Sequence, residues 1–211
     1  GGFFDIIYTP YDIKDKDVRD FWMLPNDPLV TDDYPDFLSY YIPLTELYGA
    51  ELNLLDTWEV PCAVHVPPFE ANGLDYGQIV RDIFDEWEGF IGVDLFEFVE
   101  AEPDTGLYVV YFEGDKREHY TVTARDQLGM QIQGRISLRT FYDQDNLEVL
   151  KVIIRHEVGH ALGFNHSTDA EHIMVGGRLP TTLYPSPDEV NLGKAMYNLP
   201  RGWKADWFRF D

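Results

Sequence analysis

The sequence contains a single cysteine, Cys62, among 211 residues. One thiol cannot form a disulfide within the chain, so covalent cross-links contribute nothing to the stability of the monomer. Basic residues are also scarce, since 16 lysines and arginines stand against 38 aspartates and glutamates. The formal net charge of −22 repels phosphate backbones and anionic lipid surfaces, so we expect no nucleic-acid partner.

Long apolar runs are missing as well. No stretch approaches the roughly 20 residues that a membrane-spanning helix needs, so we expect no membrane span. The chain opens with Gly1-Gly2-Phe3-Phe4 rather than Met, and we expect that a leading segment has been removed. Hydrophobic residues make up 45% and aromatic residues 15% of the sequence, which predicts a folded domain rather than a disordered chain.

Both ends of the chain differ from the middle. Residues 1–55 are acidic, aromatic and Pro-rich, and the spacing of the prolines prevents a long helix. We interpret them as an N-terminal arm that packs on its own domain; a docking arm for a protein partner and a remnant of an inhibitory pro-segment are the alternatives. Residues 201–211 are rich in Trp and Phe and are predicted to form a tail that packs back or meets a partner.

Regular elements are expected between these ends, over residues 56–200. Asp75 caps a predicted amphipathic helix with the apolar stripe Ile79, Ile83 and Trp87, which should cover a sheet. A second helix is predicted from Asp145, and a third from Pro187 to about residue 197. Alternating residues predict strands at 60–66, 95–99, 107–112, 120–124 and 135–140.

The strongest chemical signal is the run His156-Glu157-Val158-Gly159-His160, followed by Gly163 and His166. Residues four apart share a helix face, so the rings of His156 and His160 reach one point from successive turns. Gly163 permits the left-handed conformation that turns the chain back and brings His166 in as a third donor. Three imidazoles with one coordination position left open are typical of catalytic zinc.

The extended pattern, with Met174 downstream, resembles the metzincin zinc proteases, and Ser167 after the third histidine is similar to the matrixins, the matrix metalloproteinase family. The resemblance implies one catalytic Zn²⁺ held by the three histidines and a zinc-bound water activated by Glu157. It implies that Met174 forms the Met-turn and is not a ligand. It also implies an α/β (α+β) metzincin fold, in which a twisted mixed β-sheet carries two long helices, the Met-turn and a C-terminal helix.

Several features depart from the matrixin pattern. The usual wall of the specificity pocket is not matched, and 183–185 is the candidate replacement, so the substrate-binding residues are not predicted. The loop that holds structural zinc and calcium in vertebrate matrixins is not recognisable, which leaves Asp104, Glu113 and Asp115 as weak Ca²⁺ candidates. We interpret Cys62 as a buried strand residue rather than as a thiolate that blocks the zinc.

The sequence therefore predicts a zinc-dependent endopeptidase that hydrolyses polypeptide. We expect it to be secreted or associated with a surface, a virus particle included. The alternative is a structural or assembly protein that retains the metzincin fold and docks through its arm. The carboxylate of Glu157 favours catalysis, because a purely structural zinc has no need of it.

Overall fold

The computed structural model describes residues 56–198, so the predictions for the arm and the tail fall outside the described residues. Residues Asp56–Ser186 form one unit, and the last helix belongs to a second unit that is described by itself. A 3-10 turn, Gln144–Asn146, precedes the second helix. The elements in chain order are β1 (Cys62–His65), β2 (Glu70–Ala71), β3 (Leu74–Asp75), α1 (Tyr76–Ile91), β4 (Phe96–Phe98), β5 (Gly106–Phe112), β6 (His119–Arg125), β7 (Gln131–Arg139), α2 (Leu147–Leu162) and α3 (Pro187–Asn198).

Five strands form a mixed sheet in the order β4-β1-β5-β7-β6. The first four run parallel, and β6 pairs antiparallel with β7 at the edge of the sheet. Alternate residues such as Val64, Leu107 and Ile136 are buried on one face. The five predicted strands are confirmed with shifted ends, and β7 begins at Gln131 rather than Arg135. The short hairpin of β2 and β3 was not predicted, because two residues are too few to show alternation.

Helix α1 begins at the predicted cap and covers the sheet as expected. The carboxylate of Asp75 accepts a hydrogen bond of 3.0 Å from the backbone N–H of Gln78. Trp87 is fully buried, and the ring of Phe84 meets that of Phe96 in β4 edge-on, with the centroids 4.8 Å apart. The apolar stripe of the helix therefore faces the core.

The second helix begins later than predicted, and Asp143 rather than Asp145 caps the 3-10 turn that leads into it. The carboxylate of Asp143 accepts from the backbone N–H of Asp145 at 2.9 Å, and the side chain of Asn146 accepts from the N–H of Asp143 at 2.7 Å. These bonds form a capping box around the 3-10 turn, and α2 itself begins at Leu147. The predicted cap at Asp145 was wrong. Asp143 forms the capping box instead, and its reciprocal partner is Asn146, three residues later.

Two indole N–H groups bind backbone carbonyls of α2. Trp87 donates to the carbonyl of Arg155 at 3.1 Å, and Trp58 donates to the carbonyl of Ala161 at 2.6 Å. Both tryptophans are buried. The second bond satisfies a carbonyl in the last turn, which has no partner within the helix. Directional bonds therefore hold α2 in place in addition to apolar packing.

Helix α3 begins as predicted, with Pro187 at its first position and Asp188 and Glu189 in its first turn. Proline at this position loses no helical hydrogen bond, and the two acids complement the positive end of the helix dipole. Among residues 56–198, no helix has the length and apolar character needed to cross a bilayer.

Arg155 in α2 is buried although it is charged, with its side chain only 2% exposed. Its guanidinium donates to both carboxylate oxygens of Glu86 in α1, at 2.8 and 3.1 Å. It also donates to the carbonyl of Leu183 at 2.8 Å and lies over the ring of Tyr184, 4.2 Å from the centroid. One side chain thus joins α2 to α1 and to the segment after Met174.

Replacing Arg155 by alanine is expected to lower the free energy of unfolding by about 3 kcal/mol, because Glu86 and the Leu183 carbonyl lose their buried donor. Urea unfolding followed by circular dichroism measures this change. Lys151→Ala is the matched control on the same helix: its exposed pair with Glu148, at 3.6 Å, should contribute less than about 0.5 kcal/mol. Equal losses in the two variants would contradict the importance of the Arg155 contacts.

Candidate metal centre

The three predicted histidines meet on one side of α2. His156 and His160 lie on successive turns, with their ring centroids 4.6 Å apart. Gly163 ends the helix at φ 109°, in the left-handed region, and the chain then brings the ring of His166 to 4.7 Å from that of His160. One nitrogen from each ring can be chosen so that all three lie within 4.8 Å of one another. This spacing is close enough for the three rings to share one ion.

Hydrogen bonds fix which nitrogen of each helical histidine carries the proton. The Nδ1 of His156 lies 2.7 Å from the carbonyl oxygen of Ile173, and the Nδ1 of His160 lies 2.8 Å from that of Phe164. Because a carbonyl can only accept, both Nδ1 atoms are protonated and both Nε2 atoms keep a lone pair. The Nε2 of His160 faces the Nε2 of His166 at 3.0 Å. This donor set fits a zinc ion.

Partial burial favours the neutral form of the His156 and His160 imidazoles. Desolvation lowers the pKa of His156, and nearby His166 lowers it further. Desolvation, with the neighbouring His156 ring, lowers the pKa of His160 to about 4. The neutral ring is the form that binds a metal, so proton competition at neutral pH is weak.

Ser167 ties the third histidine to the segment around Met174. The N–H of Ser167 donates to the carbonyl of Met174 at 2.8 Å, and the N–H of Gly176 donates to the carbonyl of Ser167 at 3.0 Å. The hydroxyl of Ser167 is also hydrogen-bonded to the Nδ1 of His172, at 2.6 Å. These bonds set the position of His166, which lies outside the helix.

Met174 is fully buried and packs against α2. A methyl group on Gly159 would overlap the Sδ of Met174 and lie 3.2 Å from its Cε. Only glycine at this position lets the methionine side chain lie so close to the helix backbone. The structure thus places Met174 on the helix that carries His156 and His160.

Glu157 follows the first histidine and is 7% exposed. Desolvation raises the pKa of its carboxyl to about 7, the charge of Glu118 adds to this shift, and a hydrogen bond from the backbone N–H of Tyr120 opposes it. Tyr120 lies in the edge strand β6. The carboxylate therefore lies between the histidine helix and the edge strand β6.

A cavity of about 530 Å³ opens beside His156, Glu157 and His166. Its apolar wall includes Val152 of α2 and Leu179 of the segment after Met174. Residues 183–185, the candidate wall, do not line this cavity; the carbonyl of Leu183 and the ring of Tyr184 contact Arg155.

Glu118 forms the buried end of this cavity together with residues from and just after β7. Its Oε1 accepts from the Nε of Arg139 at 2.9 Å and from the hydroxyl of Tyr142 at 2.8 Å. Sequence reasoning missed these residues, since an isolated Glu, Arg and Tyr carry no motif. It also gave no role to Gly176, whose lack of a side chain leaves room for the ring of His166.

The remaining metal and thiol predictions concern Asp104, Glu113, Asp115 and Cys62. Within residues 56–198, the three histidines form the only group of three or more His, Cys, Asp or Glu side chains close enough to share an ion. The calcium prediction therefore gains no support. Cys62 is a buried residue of β1, as expected.

Gly176→Ala is expected to weaken zinc binding by roughly tenfold or more, because the new methyl would lie only 2.9 Å from the Cγ and Nδ1 of His166 and must displace the ring. Zinc affinity is measured by competition with a chromogenic chelator. Gly89→Ala, at an exposed helical site with no heavy atom within 4 Å, is the control and should leave the affinity unchanged. Unchanged affinity in Gly176→Ala would show that the contact does not position His166.

No curated protein matches the chain. A chain in the solved structure titled "GM1 bound form of the ECX AB5 holotoxin" is 17% identical, with a TM-score of 0.49, and the match covers 70% of this chain and 83% of that chain. That likeness is too weak to support a conclusion. The family Matrixin matches residues 72–192, more than half of the sequence, and confirms the predicted family and fold class. The chain therefore belongs to the matrixins, a family of zinc-dependent metalloproteases.

Proposed function

We propose that this protein is a zinc endopeptidase in which His156, His160 and His166 hold the ion and Glu157 is the general base. The observation that carries the proposal is the convergence of the three imidazoles, within 4.8 Å, beside a buried carboxylate and an open cavity. A structural site would need neither the carboxylate nor the cavity.

Zinc bound at this site would supply a Lewis acid for the peptide carbonyl and would lower the pKa of a bound water toward ~7. Glu157 takes a proton from the attacking water and delivers it to the departing amine nitrogen. The carboxylate is buried and lies beside the backbone N–H of Tyr120, which restricts its movement. The half-buried rings of His156 and His160 are oriented by carbonyl acceptors, and desolvation favours their neutral form.

The position of β6 at the edge of the sheet is an argument for a polypeptide substrate. Among residues 56–198 this strand pairs only with β7, so an extended chain can pair with its other side. Tyr120 belongs to this strand and contacts Glu157, so a chain paired with β6 would run next to the proposed base. A substrate strand added here would pass the catalytic residues.

Partner and location remain predictions. The proposed docking of residues 1–55 or 201–211 to a protein partner concerns residues outside those described. Activity outside the cell or on a surface is likewise a prediction, and fractionation of the producing culture would test it. The assembly role remains the alternative; it requires no peptide cleavage.

Metal binding and chemistry should separate by mutation. Glu157→Ala keeps the three imidazoles, so it should retain close to one zinc per chain while the cleavage rate falls by roughly 10²–10⁴-fold, the usual effect of losing a general base. His166→Ala loses one ligand and should lose both zinc and activity. Zinc is measured by mass spectrometry, and activity by cleavage of a fluorogenic peptide library.

Glu148→Gln is the matched control, because it changes a carboxylate on the same helix that is 60% exposed. It should keep both zinc and activity. Full activity in Glu157→Ala, or wild-type protein purified without chelator that binds no zinc, would reject the proposed function.

A further inference from the structure

The cavity beside the histidines carries an unusual charge for this chain. The whole sequence has 16 basic against 38 acidic residues, yet three arginines, Arg117, Arg139 and Arg178, line this one cavity. The acidic side chains that line it are Glu118 and Glu157. The cavity therefore has an excess of positive charge in a protein whose net charge is strongly negative.

The two acidic side chains are less accessible than the arginines. The side chain of Glu118 is 4% exposed, and its Oε1 already accepts from Arg139 and from the hydroxyl of Tyr142. Glu157 is buried against β6 and is assigned to proton transfer. Neither carboxylate is well placed to attract a cation from solvent.

The arginines remain able to bind an anion. Arg117 and Arg178 are exposed. Arg139 donates to Glu118 through Nε at 2.9 Å, and its side chain is 22% exposed. A guanidinium presents a planar fork of donors that matches a carboxylate, so these side chains favour an acidic group over an apolar or basic one.

We propose that the cavity binds an acidic side chain, Asp or Glu, of the substrate residue next to the cleaved bond, and that Arg117 and Arg178 determine this specificity. The proposal rests on the proposed peptidase function. A volume of about 530 Å³ accommodates such a side chain. The apolar wall, which includes Val152 and Leu179, contacts its methylene groups while the carboxylate meets the arginines.

Two other substrates are compatible with parts of the cavity. A large apolar side chain would use the wall but would offer the guanidinium groups no acceptor. A lysine or arginine would need Glu118, which is buried and already paired with Arg139. Both are outcomes of the experiment below.

The experiment begins with full-length, zinc-loaded protein and a peptide library prepared from a whole proteome. Bonds cleaved by the wild type but not by Glu157→Ala are mapped by mass spectrometry. Asp and Glu should be enriched at one of the two positions that flank the cleaved bond. Four matched peptides with Glu, Gln, Leu or Lys at that position then give kcat/KM for each side chain.

Arg117→Gln and Arg178→Gln should each lower the ratio of kcat/KM for the Glu peptide to that for the Gln peptide by roughly tenfold, the usual scale of one charge-assisted hydrogen bond. A ratio is independent of the fraction of active enzyme, so impaired folding alone does not change it. Lys116→Gln is the matched control: it removes the same charge from the neighbouring exposed residue, which does not line the cavity.

Enrichment of Asp and Glu, with a lowered ratio in both arginine variants and an unchanged ratio in Lys116→Gln, supports the proposal. Enrichment of apolar or basic residues overturns it and leaves the peptidase function intact. An equal fall in Lys116→Gln overturns it too, because the effect would then come from general surface charge. If the wild type and Glu157→Ala give the same peptides, the proposed function fails and the specificity proposal fails with it.

Discussion

The site depends on one constraint, the attachment of a loop histidine to a rigid helix. His156 and His160 need only the periodicity of α2, but His166 lies beyond its end. Backbone hydrogen bonds from Ser167 to Met174 and from Gly176 to Ser167 fix that loop. The close packing of Met174 on Gly159 then fixes the loop against the helix. Without these contacts, gathering three ligands would cost conformational entropy each time an ion bound.

Helix α2 is held by an ion pair and hydrogen bonds in addition to its apolar packing. The partly buried ion pair of Arg155 with Glu86 and two indole hydrogen bonds connect it to α1 and to the chain before β1. Such bonds are directional, so they restrict rotation and sliding of the helix more than apolar contacts do. A metal site benefits, because its ligand atoms must keep their spacing to a fraction of an ångström.

Much of the site was predictable because its chemistry is local in sequence. The spacing of His156, His160 and His166, with Gly163 between them, follows from helix geometry and from the freedom of glycine at positive φ. The strand pattern, the cap at Asp75 and the start of α3 at Pro187 were local as well. The cap at Asp143 was missed because two aspartates close together fit the same rule.

The cavity was not predictable for a different reason. Its charged end combines Glu118, before β6, with Arg139, at the end of β7, and Tyr142 beyond it. Antiparallel pairing of β6 with β7 brings Glu118 close to Arg139. The alternation of hydrophobic residues predicts each strand but not the register between two strands. The same limit applies to Arg155, whose partners Glu86 and Leu183 are distant in sequence.

The indole contacts of α2 also make the helix visible to a spectroscopist. The chain has five tryptophans, and Trp58 and Trp87 bind carbonyls near the end and in the middle of the histidine helix. Indole fluorescence responds to the polarity and hydrogen bonding of its surroundings. A movement of this helix would alter both contacts, so the protein carries two intrinsic fluorophores beside its proposed catalytic centre and needs no attached label to report changes there.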